Sequence, residues 1–349
     1  MCLSDGGTSP KNISFFYLKY PLFCRETFPV AAFSPVIDAE LAAFEVKFKE
    51  AVKSRAPLLD RITYYIINRK GKQLRPRFVL LSAKLFGPIT DASYRAASLV
   101  ELLHTATLVH DDVVDESLER RGFFSINALW KNKVAVLVGD YMLSKGMLMS
   151  VDNQDFQILS IMSGAIRSII EGELLQLEKS RRLNLKEDVY LEIIRSKTAS
   201  LLASACAAGA WSTTQNMDIA NKMHKFGELV GMAFQMKDDL FDYGTDDIGK
   251  PTGNDIKEKK LTLPLIYTIN HAPSDLRRQL IYSIKNENRK PERVKWIIDQ
   301  VIAAGGIEYA SQKMDEYRLQ AAAILDEFED SEVKKAILQL VEYTTNRKY

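Results

Sequence analysis

Cysteine is scarce in this 349-residue chain, which has only Cys2, Cys24 and Cys206. Three scattered thiols make neither a disulfide framework nor a CxxC metal knuckle, which argues against zinc and fits a reducing, cytoplasmic setting. Charge of one sign is missing too, with 47 Lys plus Arg against 45 Asp plus Glu. No global field draws the chain to nucleic acid or to an anionic membrane, so any charge-based function is local. Long apolar runs are also absent. Arg167 interrupts the stretch around Ile166, and the Ala-rich run from Ala199 to Trp211 is too short to span a bilayer. The expectation is a soluble protein with no transmembrane segment, and 46% hydrophobic content is ample for a core.

Glycine and proline are sparse beyond residue 35 and fall mainly at joints. Residues 1–35 differ: Gly6, Gly7, Pro10, Pro21, Pro29 and Pro35 punctuate an aromatic-rich stretch without helical periodicity. It is expected to be a poorly ordered extension, lacking both the apolar core of a secretory signal and the composition of a transit peptide. From Val36 onward apolar residues recur at helical spacing, and helices are expected over 38–53, 74–86, 91–116, 134–150, 154–178, 186–210 and 218–243, with more to the C-terminus. No strand alternation, repeat or polar linker divides the rest, so residues 36–349 read as one large all-α domain.

Two clusters are not explained by folding. His110-Asp111-Asp112-Val113-Val114-Asp115-Glu116 crowds four acids into two turns at the end of an apolar helix. Asp111 and Asp115 share a face, where like charges destabilise a helix, and the helix dipole disfavours anions at that end. Asp238-Asp239-Leu240-Phe241-Asp242 repeats the DDxxD spacing on a second apolar helix. One copy would read equally as a solvated helix end; two copies point to a ligand. Carboxylates without Cys or paired His are hard donors suited to Mg²⁺, which commonly bridges to substrate phosphates.

Cations flank both clusters. Lys72 and Arg75 fall around a helix start in Gly71-Lys72-Gln73-Leu74-Arg75-Pro76, where free N–H groups also favour an anion. Arg120-Arg121-Gly122 follows the first cluster and can make bidentate phosphate contacts. Lys197-Thr198 is a third site, and Gly249-Lys250 leading to Lys259 and Lys260 a fourth. Each alone is commonly surface decoration. His104 lies two turns before Asp111 on its face, and Gln235 one turn before Asp239; both also suit satisfied core positions.

Together these motifs closely resemble the trans-isoprenyl diphosphate synthases, or polyprenyl synthetases, from about Val36 to the C-terminus. The residues carrying the resemblance are Gly71-Lys72-x-x-Arg75-Pro76, Glu101-x-x-His104, the two DDxxD clusters, Arg120-Arg121-Gly122, Lys197-Thr198, Phe234-Gln235, and Gly249-Lys250 through Leu263-Pro264. The resemblance implies an α-helical bundle with a central substrate cavity, a homodimer, and condensation of isopentenyl diphosphate with an allylic prenyl diphosphate. It implies that Lys72, Arg75, His104 and Arg121 hold isopentenyl diphosphate. Arg120, Lys197, Lys250 and Lys260 would hold the allylic diphosphate beside Mg²⁺ carried by Asp111, Asp112, Asp115, Asp238, Asp239 and Asp242. Thr198 and Gln235 would lie near the reacting carbons. One departure is Lys259, where family members usually carry Gly.

Aromatic residues at the two positions here occupied by Ala106 and Thr107 give short products in that family. Small residues therefore resemble long-chain, octaprenyl-type enzymes, such as supply a quinone side chain and deliver the product to a membrane; the alternative is a farnesyl or geranylgeranyl synthase. A class I terpene cyclase would usually carry Asn, Ser or Thr, and Glu in its second metal motif. A non-catalytic helical subunit would be expected to lose aspartates. Neither description fits two intact triads.

Overall fold

The computed structural model describes residues 35–68, 71–120, 122–180, 186–244 and 253–346. The expected N-terminal extension before residue 35, Arg121 and Lys250 lie outside them. The chain runs through α1 (Asp38–Ala51), α2 (Pro57–Ile67), α3 (Leu74–Lys84), α4 (Asp91–Val114), β1 (Glu119–Arg120), β2 (Phe123–Phe124), α5 (Ile126–Asp152), α6 (Phe156–Ser180) and α7 (Glu187–Ile194). A π-helical turn (Arg195–Ala199) follows, then α8 (Ser200–Thr214), α9 (Met217–Phe241), α10 (Asn254–Lys257), α11 (Leu263–His271), α12 (Ser274–Asn286), α13 (Pro291–Ala303), α14 (Gly306–Leu325) and α15 (Glu332–Asn346).

The two helices that end in aspartates start on strong caps. Thr90 Oγ1 accepts the Ser93 N–H while Ser93 Oγ accepts the Thr90 N–H, a reciprocal box that opens α4. Asn216 Oδ1 accepts from the N–H groups of Asp218 and Ile219 and opens α9. α9 joins two apolar cores. Its first half gives Met223, Phe226, Leu229 and Val230 to the larger core, shared with α3, α4 and α8, among others. Its second half gives Met232, Ala233 and Met236 to a smaller core with α7 and α11–α14. Burial of each large side chain stabilises this arrangement by about 1.5–3 kcal/mol, and the aspartates at the end of α9 lie where the second core meets the surface.

The helix expected over 186–210 is interrupted by the π turn, which period counting does not reveal. Two glycines cradle it. A Cβ on Gly172 of α6 would meet Ser196 Cβ at 2.8 Å, and one on Gly231 of α9 would meet Ala199 Cα at 2.5 Å. Only a residue without a side chain lets these backbones come so close. Three further differences from expectation are local. α2 was not foreseen. α5 starts at Ile126, capped by Ser125, and breaks at Lys131 (φ 74°, ψ 158°), so that its regular part begins near the expected Val134. A two-residue hairpin pairs Glu119 with Phe124 and Arg120 with Phe123, too short for strand alternation to register.

Among the described residues α5 is, by length and composition, apolar enough to cross a membrane, although Asp140 and Lys145 interrupt it. Much of it is bare: Val136, Leu137, Met147 and Leu148 are exposed, as are Ile170, Leu174 and Leu177 on α6.

Candidate active site

At the end of α9, Asp239 is 6% exposed and both of its oxygens are engaged. The Tyr190 hydroxyl donates to Oδ2 at 2.6 Å and the Gln235 amide to Oδ1 at 2.9 Å. The Thr198 hydroxyl donates to Gln235 Oε1 at 2.8 Å. Burial pushes the Asp239 carboxyl up to about 7, against the lowering effect of the Tyr190 hydrogen bond. Asp242 is held by the chain that follows it: Oδ1 accepts the Asn254 N–H at 2.8 Å and Oδ2 the Asp255 N–H at 3.1 Å. Burial nonetheless leaves its pKa raised. Asp255 is itself pushed up to about 6, by burial and then by the charge of Asp242. Asp238 is half-buried.

The first cluster is built differently. Asp112 is 4% exposed and accepts at 2.6 Å from Nε of Arg120, in the first strand of the hairpin. Asn127 Nδ2 donates to the Asp112 carbonyl at 3.1 Å, tying the end of α4 to the start of α5. Asp115 is the C-cap residue of α4 and is exposed, while Asp111 is half-buried and its pKa is raised, chiefly by burial. His110 rests on Gly139 of α5, where an added Cβ would lie 2.1 Å from His110 Nε2.

Cations connect the two clusters. Lys197, in the π turn, pairs with Glu173 of α6, and its charge acts on Asp111. Lys260 pairs with Glu258 at 2.5 Å. Burial disfavours the Lys260 ammonium, but Glu258, Asp255 and Asp115 raise its pKa overall. A cavity of about 360 Å³ opens here, lined by Lys197, Thr198, Gln235, Asp238, Asp239, Asp242 and Lys260, with Ile193, Ile194, Phe241 and Leu261 as apolar wall.

Elsewhere, Arg75 Nη1 donates to His104 Nε2 at 2.9 Å, which makes Nε2 the accepting nitrogen of a neutral ring. Lys72 Nζ lies 5.1 Å from the Tyr343 ring centroid. Ala106 is fully buried in the larger core, and Thr107 donates to the His104 carbonyl at 2.8 Å; neither lines the cavity at the second cluster. Lys259 adopts φ 59°, where glycine is favoured, which gives a backbone reason for the glycine that the family resemblance leads one to expect at this position. Tyr190, Glu173 and Asp255 were not singled out from sequence. Tyr190, seven residues before Lys197, looks like core in a periodicity pattern; only the fold shows its hydroxyl on a carboxylate.

Residues 56–301 match the polyprenyl synthetase family model. The chain belongs to that family, and it is a prenyltransferase. It is 32% identical over 310 residues to octaprenyl diphosphate synthase of Escherichia coli, covering 88% of this chain and 96% of that protein. The crystal structure of a decaprenyl diphosphate synthase from Rhodobacter capsulatus is similar at a TM-score of 0.86 and 33% identity, covering 91% of this chain and 99% of that one. A polyprenyl synthase from Caulobacter crescentus, complexed with calcium and isoprenyl diphosphate, is similar at 0.85 and 31%, covering 93% and 100%. The fold is thus the isoprenoid synthase helical fold expected from the motifs.

Proposed function

We propose that the chain condenses isopentenyl diphosphate with an allylic prenyl diphosphate, trans and head to tail, to make a long-chain polyprenyl diphosphate. The observation that supports this most is that the second carboxylate cluster lines a cavity with Lys197 and Lys260, two cations that also interact electrostatically with Asp111 and Asp115 of the first cluster, on a helix far away in sequence. Such a site binds a diphosphate whose charge must be balanced while it leaves.

The donor set suits Mg²⁺. It is all carboxylate oxygen, and burial raises the pKa of Asp111, Asp239 and Asp242. Among the described residues no three acidic, His or Cys groups converge into a closed metal cage. Mg²⁺ is commonly held by one or two carboxylates and completed by water and substrate phosphates. Bound between the clusters, Mg²⁺ would stabilise the negative charge of the departing pyrophosphate.

In this reading Lys197, Lys260, Arg120 and Lys250 hold the allylic diphosphate, and Lys72, Arg75, His104 and Arg121 hold isopentenyl diphosphate. The allylic carbon–oxygen bond breaks, the isopentenyl double bond supplies the electron pair for the new carbon–carbon bond, and loss of a proton to the departing pyrophosphate restores a neutral alkene. Thr198 and Gln235 present dipoles to the cationic carbons. Fixing both diphosphates in one orientation supplies much of the acceleration. The small side chain of Thr107, one turn before Asp111, leaves the growing chain room to pass. A second copy of the chain would cover the bare apolar face of α5 and α6, and the homodimer would work in the cytoplasm; a native mass of one chain would overturn that assembly.

The test is incubation with labelled isopentenyl diphosphate and farnesyl diphosphate, with and without chelator, then chromatography of chain lengths. Magnesium-dependent formation of long products is expected, and Thr107→Phe should shift them to three or four isoprene units by obstructing the path. Product formation in excess chelator would sink the metal assignment, and an unchanged product from Thr107→Phe would sink the chain path. Ala106→Phe is the poorer probe, because Ala106 is packed in the core.

A further inference from the structure

Of the groups that line the cavity, Tyr190 has no role in the chemistry above. It is buried, it belongs to the smaller apolar core, and its hydroxyl is aimed at Asp239 Oδ2, 2.6 Å away. A buried phenol filling core volume needs only some acceptor, and a backbone carbonyl would serve. Here the acceptor is a carboxylate of the diphosphate site. That carboxylate is fixed from its other side by Gln235, which in turn accepts from Thr198.

The four residues form one hydrogen-bonded clip. Tyr190 and Thr198 come from the same segment, α7 and the π turn, on either side of Lys197; Gln235 and Asp239 are one turn apart on α9. Both ends of the clip therefore tie the Lys197 segment to the aspartate helix. Close packing brings the backbones together at Gly231 and Ala199, and the orientation of the carboxylate above them is set by two hydrogen bonds, one to each oxygen, of which Tyr190 makes the one to Oδ2.

We propose that Tyr190 is a positioning residue for the diphosphate site: its hydroxyl sets the orientation of Asp239 and, through Gln235 and Thr198, the placement of Lys197 against the second aspartate cluster. The proposal rests on the function proposed above. Outer hydrogen-bond partners of metal-site carboxylates typically affect affinity or activity by about 10–100-fold when removed. The Tyr190 hydroxyl meets that description, because it donates to Asp239.

The full chain is tested by thermal unfolding in inorganic pyrophosphate while Mg²⁺ is titrated, with steady-state kinetics alongside. In Tyr190→Phe the Mg²⁺ midpoint for stabilisation by pyrophosphate should rise about tenfold. The KM for the allylic diphosphate should rise with it, while the KM for isopentenyl diphosphate stays put. A merely structural phenol would lower the unfolding temperature without moving the midpoint. Tyr243→Phe is the control, since that second buried phenol bonds Thr262 at 2.5 Å instead of a carboxylate, and its midpoint should not move. If Tyr190→Phe alone does not fold, Tyr190→Phe with Asp239→Asn removes the orphaned buried charge. The midpoint of that double variant should equal that of Asp239→Asn alone, and a further multiplied shift would overturn the coupling. Loss of the metal response in Asp238→Ala beside an unmoved midpoint in Tyr190→Phe overturns only the role of Tyr190. A response that survives Asp238→Ala overturns the site itself, and this proposal with it.

Discussion

The two DDxxD clusters share a spacing and a place, the C-terminal end of a long apolar helix, yet the fold treats them oppositely. The first is lightly held. Arg120 engages Asp112, while Asp115 caps the helix in solvent and Asp111 feels the charge of Lys197. The second is braced on every side: Asp239 by Tyr190 and Gln235, Asp242 by the N–H groups of Asn254 and Asp255. An identical motif therefore does not mean an identical physical state. Asp111 and Asp115 of the first cluster are open to be organised by what binds, and Asp239 and Asp242 of the second are organised beforehand; both clusters keep carboxylates buried at a cost, Asp112 in the first and Asp239 in the second.

The largest effect should be common to both. Asp111→Ala and Asp238→Ala are each expected to lower kcat/KM by about a hundredfold or more, the usual loss when preorganised charge stabilisation is removed. Steady-state assays at saturating Mg²⁺ measure it. If one variant stays within tenfold of the parent, only one cluster serves the reaction, and the symmetry of the motifs is incidental.

A smaller effect separates them. The Asp239 carboxyl is pushed up to about 7 by burial, far above its unfolded value of 3.8. Between those values the folded state holds a proton that the unfolded state has released, so folding stability falls as pH rises through that window. Metal-free protein should therefore lose unfolding temperature from pH 5.5 to 8, and Asp239→Asn should flatten the slope. His224, whose pKa burial lowers from 6.5, contributes in the opposite direction at the acid end, but it cancels in the difference between the two proteins. Asp111→Asn should change the slope less. Equal slopes for parent and Asp239→Asn would mean that the second cluster is not the buried, protonated one.

Helical period sufficed to read α4 and α9, because an apolar stripe is a local signal, and the Thr90 and Asn216 caps found in the structure agree with it. The aspartates and the order of the cations were likewise legible as motifs. What stayed hidden depends on contacts across the fold. The π turn at Arg195–Ala199 is packed closely between Gly172 and Gly231 of two other helices, and neither glycine stands out in its own helix. Tyr190 has the apolar spacing of a core residue, and Glu173 that of a solvated one, until folding sets them on Asp239 and Lys197. The tight fit of His110 on Gly139 is invisible for the same reason.

The smallest expected effect tests whether the loop that braces Asp242 is set by backbone conformation or by side-chain charge. Lys259 sits at φ 59°, a left-handed conformation that costs a residue with a Cβ roughly 1–2 kcal/mol. Lys259→Gly removes that strain but gives the unfolded chain more freedom, roughly 0.5–1 kcal/mol, and it loses the bond from Lys259 Nζ to the Lys285 carbonyl at 2.9 Å. That exposed bond contributes at most about 0.5–1.5 kcal/mol, so the net change should be within about 1 kcal/mol of zero. Lys259→Ala loses the same bond and keeps the strain. The order of unfolding temperatures should therefore be Gly above Ala, with the lysine protein near Gly, and kcat close to the parent in both because Lys260 is untouched. If Ala were instead the more stable of the two, φ at residue 259 would carry no strain, and if both fell well below the lysine protein, the loop that braces Asp242 would owe its shape to the ammonium on Lys285. If both were equally stable but slow, the loop would be shaping catalysis through the charge of Lys259, and the second cluster would be less fully organised in advance than its hydrogen bonds imply.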